Sequence, residues 1–268
     1  MIISDESRFA FVHIPKNAGT TIRAQLSPID DRNGFYAALR ADEQGIVYDY
    51  SHLTLAQLSR LYPAEFQRLN NYTTFCLVRD PAARFDAAVS EYAKQYLRRD
   101  IATFSRAERL ALIKDLIEKL NYFGTSELPY WLVWFTPQTA FIEWRGKRVI
   151  PHVFPVDNLS GAVALTYEKT GILLDTQERK NQRVDFRNNA IRRAVRIGRH
   201  ARRFLPKKLY TKIRQPMRAM LLESARNSED RLVKEIEEKE GFVKEFYLDD
   251  YAIWREALLG EARNWTNV

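Results

Sequence analysis

The chain has 268 residues, is 46% hydrophobic and carries a formal net charge of +8. That length fits one large α/β domain or two small ones, and the apolar fraction is enough for a sizeable core, which argues against a disordered chain. A single cysteine, Cys76, excludes an internal disulfide framework.

Met1-Ile-Ile-Ser-Asp-Glu6 turns acidic at once, and no long apolar run follows it. Neither a signal peptide nor a membrane-spanning anchor is therefore expected, which points to a cytoplasmic chain or a trimmed form of an anchored one. Residues 9–14 are apolar enough for a buried parallel strand, and residues 20–26 open a helix. Between them runs Pro15-Lys-Asn-Ala-Gly-Thr-Thr21. Unpaired amides at a helix start carry partial positive charge and attract anions. Lys16 adds a full charge, Gly19 lets the backbone come close, and Thr20 and Thr21 offer hydroxyls as caps or ligands. The lysine precedes the glycine, so this is not a Walker A loop, which ends Gly-Lys-Ser/Thr. In isolation, a strand–helix turn with a solvated lysine reads the same way.

A helix is predicted over 54–61, with Leu55, Leu58 and Leu61 on one face and Ser51 or Thr54 as its cap. Residues 73–78 form a second central strand, rich in β-branched and aromatic residues, in which Cys76 reads as a buried, inert thiol. It ends at Arg79-Asp-Pro81, and Pro81 suits the first turn of a helix over 82–97. Residues 106–120 form another helix. Residues 141–144 and 149–154 read as short strands around an Arg145-Gly-Lys147 turn. A helix over 158–170 stops at Gly171, a charged helix covers 228–240, and a helix over 249–259 closes the chain. Strands alternating with helices predict an α/β fold with a parallel sheet flanked by helices.

Two stretches resemble the sulfotransferases that use 3′-phosphoadenosine 5′-phosphosulfate (PAPS). Pro15-Lys-Asn-Ala-Gly-Thr-Thr21 is similar to their 5′-phosphosulfate loop, most of all in the carbohydrate branch. Arg79-Asp-Pro-Ala-Ala-Arg84 is similar to their 3′-phosphate site, usually Arg-Asp/Asn-Pro-x-x-Arg-x-x-Ser. The resemblance covers about residues 9–185 and 227–257 and implies a single P-loop-like domain over 1–268. It implies that Lys16, Asn17, Ala18, Gly19, Thr20, Thr21, Arg79 and Arg84 bind the co-substrate. Arg84 reads equally well as a helical ion-pair partner of Asp80 or Asp86. The family serine falls on Ala87, with Ser90 one turn further along the helix.

Transfer to a hydroxyl calls for a base, and only four histidines exist: His13, His52, His152 and His200. Tyr50-Ser-His52 resembles the family's histidine segment before a helix, so His52 is the candidate general base, with Lys16 stabilising the leaving phosphate. Equally open is a His52 that caps or packs at a helix start. His13 and His152 read as structural. Thr136-Pro-Gln-Thr139 resembles a cleft-lining segment, which makes Gln138 a candidate contact or a polar turn, and Tyr247-Leu-Asp-Asp-Tyr251 resembles a packing helix. No metal-ligand constellation is present, and none is required.

Residues 186–222 hold twelve Lys or Arg and no Asp or Glu, so the remainder sums to −4. The segment reads as a basic helical insertion within the domain. Such a segment suits an anionic membrane surface, placing the protein peripherally there, or a solvated insertion, with no specific nucleic acid implied. The leading expectation is sulfuryl transfer from PAPS to a hydroxyl of a carbohydrate or glycolipid. The alternatives are a P-loop-like kinase and a non-catalytic membrane- or polyanion-binding protein.

Overall fold

The computed structural model describes residues 1–125, 127–176 and 241–265. The basic segment 186–222, the predicted helix over 228–240 and His200 lie outside them. The elements in chain order are β1 (Ile2–Ser4), β2 (Phe9–Val12), α1 (Gly19–Leu26), β3 (Leu39–Ala41), β4 (Val47–Asp49), α2 (Leu55–Leu61), α3 (Pro63–Asn71), β5 (Thr73–Val78), α4 (Pro81–Tyr96), α5 (Arg106–Phe123), β6 (Glu143–Trp144), β7 (Lys147–Arg148), β8 (His152–Pro155), α6 (Ser160–Thr170), α7 (Phe242–Phe246) and α8 (Leu248–Trp265).

The main sheet has the order β1-β2-β5-β8. β2, β5 and β8 are parallel, with Phe11 opposite Phe75 and Phe75 opposite His152; β1 pairs antiparallel at the edge. Side chains alternate across a strand, so each strand feeds two cores. Phe9, Phe11, Phe75 and Leu77 pack with Ile22 and Leu26 of α1 and Ala162 of α6. Ala10, Val12, Cys76 and Val78 pack on the other face with Leu55, Leu58, Phe66 and Leu69 of α2 and α3 and with Ile253 and Ala257 of α8. A third core joins α4, α5 and α7 to the turn over Tyr130–Phe135.

Two sequence expectations change here. The stretch expected as one strand over 149–154 is divided. Arg145 and Gly146 both have positive φ, which makes a two-residue hairpin turn that closes on Lys147–Arg148. The chain then passes Pro151 and joins the main sheet as β8. Helix α2 is capped by Thr54, not Ser51: the Thr54 hydroxyl accepts from Gln57 N, and the Gln57 side chain returns to Thr54 N. Ser51 N instead donates to Asp49, which becomes important below.

Candidate active site at the carboxyl ends of the central strands

Parallel sheets bind ligands beyond the carboxyl ends of their strands, and β2 and β5 both run out here into charged loops. After β2 the backbone reverses through Lys16 and Ala18, both with positive φ. Ala18 is the N-cap residue of α1, and no side chain caps the helix. The first amides of α1 thus meet no side-chain cap, Thr21 N donates to Ala18 O at 3.1 Å, and Ala18 and Thr20 are exposed beside the half-buried Thr21. Gly19 is required by space rather than by φ: a Cβ there would lie 2.0 Å from His13 Cδ2. His13 is buried against Phe11 and His52, so it has little room to yield. We expect Gly19→Ala to destabilise the fold by about 1–3 kcal/mol, measurable by thermal or denaturant unfolding. Unchanged stability would mean that His13 moves freely.

Lys16 Nζ lies 2.9 Å from Glu91 Oε2 of α4. Burial pushes the Glu91 carboxyl up, but the Lys16 charge and a hydrogen bond from Gln95 outweigh it and hold it down to about 2. Glu91 is a neighbour of the loop lysine that sequence reasoning missed. It lies twelve residues past Arg79, on the helix that the Arg79 motif opens.

Asn17 turns inward. Its side chain is 1% exposed, and its Nδ2 donates to Leu77 O and to Gln138 Oε1, both at 2.7 Å. The Arg79 N–H donates to the same Gln138 Oε1 at 3.0 Å, and Gln138 Nε2 donates back to Arg79 O at 3.0 Å. One buried amide thus joins the lysine loop to the end of β5. Asp80 then caps α4 by accepting from Ala82 N, with Pro81 in the first turn.

Arg84 departs from its motif expectation. Its guanidinium is 1% exposed and donates to Trp134 O at 3.1 Å and Thr136 O at 2.6 Å. Asp250 lies 3.9 Å away and the Tyr247 ring 5.3 Å away. The helix carries position 84 against the turn that precedes Gln138, so its charge is met by the protein interior. Its ion-pair partner is Asp250 on α8, neither Asp80 nor Asp86 as the local spacing suggests. Ala87 and Ser90 are buried as well.

His52 ends a short 3-10 turn after β4. Its Nδ1 lies 2.9 Å from His13 O. A carbonyl only accepts, so Nδ1 carries the proton and Nε2 keeps its lone pair in the neutral ring. Nε2 lies 4.0 Å from Asp49 Oδ2, while Oδ1 of Asp49 accepts from Ser51 N. Burial pushes the His52 pKa down to about 4 against the opposing pull of Asp49. The His13 and His52 rings meet edge to face at 4.4 Å, and burial also holds His13 well below its usual range. His152 lies on β8, away from this group, and is lowered by burial and by Lys169. Among the described residues no cluster of His, Cys, Asp and Glu has a metal-binding arrangement.

The arrangement therefore provides an uncapped helix start with a lysine, an arginine at the end of the adjacent strand, and a neutral imidazole with a bare nitrogen. Residues 1–131, just under half of the chain, match the model of the sulfotransferase family. Neither the curated proteins nor the solved structures compared with the chain gave a match. The matched residues include the lysine loop, His52 and the turn at Arg79, so this part of the chain is similar to that family, and its α/β fold with a parallel sheet is consistent with it.

Proposed function

We propose that the protein transfers a sulfuryl group from PAPS to a hydroxyl of a carbohydrate or glycolipid. The observation that supports this reading is that Gln138 Oε1 accepts from both Asn17 Nδ2 of the lysine loop and Arg79 N at the end of β5, so the two candidate anion-binding motifs are neighbours. The residues fit a donor with two anionic ends. Lys16 and the first amides of α1, at Gly19 and Thr20, suit the phosphosulfate, and the Arg79 guanidinium suits a 3′-phosphate. When bound, the donor supplies a sulfur whose bond to the 5′-phosphate oxygen breaks as the acceptor oxygen bonds to it. Lys16 holds positive charge where the leaving phosphate oxygen gains negative charge. Nε2 of His52 takes the acceptor proton, and Asp49 balances the imidazolium that results. His13 O keeps the ring in the required tautomer. Arg84 acts from beneath the site, through the turn over Trp134–Thr136.

We read residues 1–268 as one domain, supported by the hydrogen bonds that bring Asp250 of α8 back to Gln138 and Thr139. The basic segment 186–222 suits an anionic membrane surface, where a lipid-borne acceptor would be presented. No described helix is long and apolar enough to cross a membrane.

Thermal shift with 3′-phosphoadenosine 5′-phosphate and with ATP tests the donor, followed by a sulfate-transfer screen over glycan acceptors. Stabilisation by the bisphosphate but not by ATP is expected. Stabilisation by ATP alone would point to a kinase, and by neither to a non-catalytic binder.

A further inference from the structure

Gln138 was expected either to touch the ligand or to make a polar turn. It opens a 3-10 turn over Gln138–Phe141 and is 0% exposed, and its amide hydrogen-bonds to Asn17 and to both backbone groups of Arg79. Its Oε1 takes Asn17 Nδ2 from the lysine loop and the Arg79 N–H from β5, and its Nε2 returns to Arg79 O. The turn that carries it is held just as firmly from below. Asp250 Oδ2 accepts from Gln138 N at 2.7 Å and Oδ1 from Thr139 N at 2.9 Å. Arg84 takes the carbonyls of Trp134 and Thr136, and Tyr247 Oη donates to Phe135 O at 2.7 Å. Asp250 is itself 1% exposed, and burial raises its pKa while Arg84 and the two amides oppose that rise.

We propose that Gln138 is a positioning residue that fixes the separation between the lysine loop and Arg79, and that Asp250 locks it from α8. The proposal rests on the reading of the donor as a ligand with phosphates at both ends. Two anion sites gain from binding one ligand only when their spacing is fixed beforehand; a loose pair gives up part of that gain to ordering. A primary amide is suited to this place because it both accepts and donates. A carboxylate there has no proton for Arg79 O, and a thioether answers neither motif.

The test compares the gain from the second phosphate. Calorimetry measures the Kd of 3′-phosphoadenosine 5′-phosphate and of AMP, for the native chain and for Gln138→Met. The native chain is expected to bind the bisphosphate far more tightly than AMP. In Gln138→Met that ratio is expected to fall by about tenfold, as each hydrogen bond lost is worth about 0.5–1.5 kcal/mol net. Damage that is merely structural lowers both affinities alike and leaves the ratio unchanged, and an unchanged ratio overturns the proposal. If Gln138→Met does not fold, Asn17→Ala cuts the same link from the loop side and must show the same fall. Failure of the native chain to bind the bisphosphate overturns the donor reading itself, a different result from an unchanged ratio.

Discussion

Lys16→Ala is expected to abolish sulfuryl transfer and to weaken binding of 3′-phosphoadenosine 5′-phosphate. Losing one preorganised charge at a leaving oxygen lowers kcat by about 100- to 1,000-fold, and the same ammonium contributes to ground-state binding of the 5′-phosphate. Both kcat and Kd should move. Glu91→Gln supplies a change of opposite sign. Its carboxylate holds Lys16 at 2.9 Å, so neutralising it leaves more of the lysine's charge for the donor. Binding of the bisphosphate should tighten in this variant. Weaker binding in Glu91→Gln, or unchanged binding in Lys16→Ala, would show that the lysine does not face the donor.

His52→Ala is expected to lower transfer by about 100- to 10,000-fold, the usual range for a general base, while leaving the Kd of the bisphosphate unchanged. Full activity in this variant would remove His52 from the mechanism. The same residue shapes stability against pH. Its folded pKa is about 4, below the ordinary 6.5, so the unfolded chain binds a proton that the folded chain refuses between those values. Its contribution is intact above about pH 6.5 and is lost as pH falls toward 4. From pH 7 to pH 5 that loss amounts to about 2 kcal/mol. His13 is shifted in the same direction and steepens the fall. Unfolding free energies at pH 7 and 5 should therefore differ less in His52→Ala than in the native chain. An equal difference would mean that the ring titrates normally.

The parts of the site that were legible in the sequence are those whose cause is local. The lysine loop is seven consecutive residues between an apolar strand and a helix, and the expectation that it holds an anion follows from that run alone. The strand over 73–78 and the helix after Pro81 were read correctly because a β-branched run and a proline fix them without outside help. Gly19 was expected to let the backbone approach an anion, and the structure gives a separate reason for it, since a Cβ there would meet the ring of His13.

What failed were inferences across the helix surface and between distant segments. Arg84 has the motif position of a phosphate ligand, but helix spacing says only which residues share a face, not what lies opposite. The turn over Trp134–Thr136 and Asp250 lie opposite, and they take the guanidinium inside. Asp250, expected only to pack, caps two amides 112 and 111 residues away in the chain. Asp49 gave no sign of standing beside His52, because the bend that brings them together is a 3-10 turn with no periodic pattern.

The sequence by itself thus determined the fold class and the elements that carry Lys16 and Arg79, and it offered His52 as the candidate base. Only the tertiary structure decided how these are joined. Buried polar groups must find partners, and in this chain the partners of the two anion motifs are Gln138 and, through it, Asp250. Such a network is set by which backbone amides are left unpaired once the sheet and helices have packed, a quantity that no local stretch of residues contains.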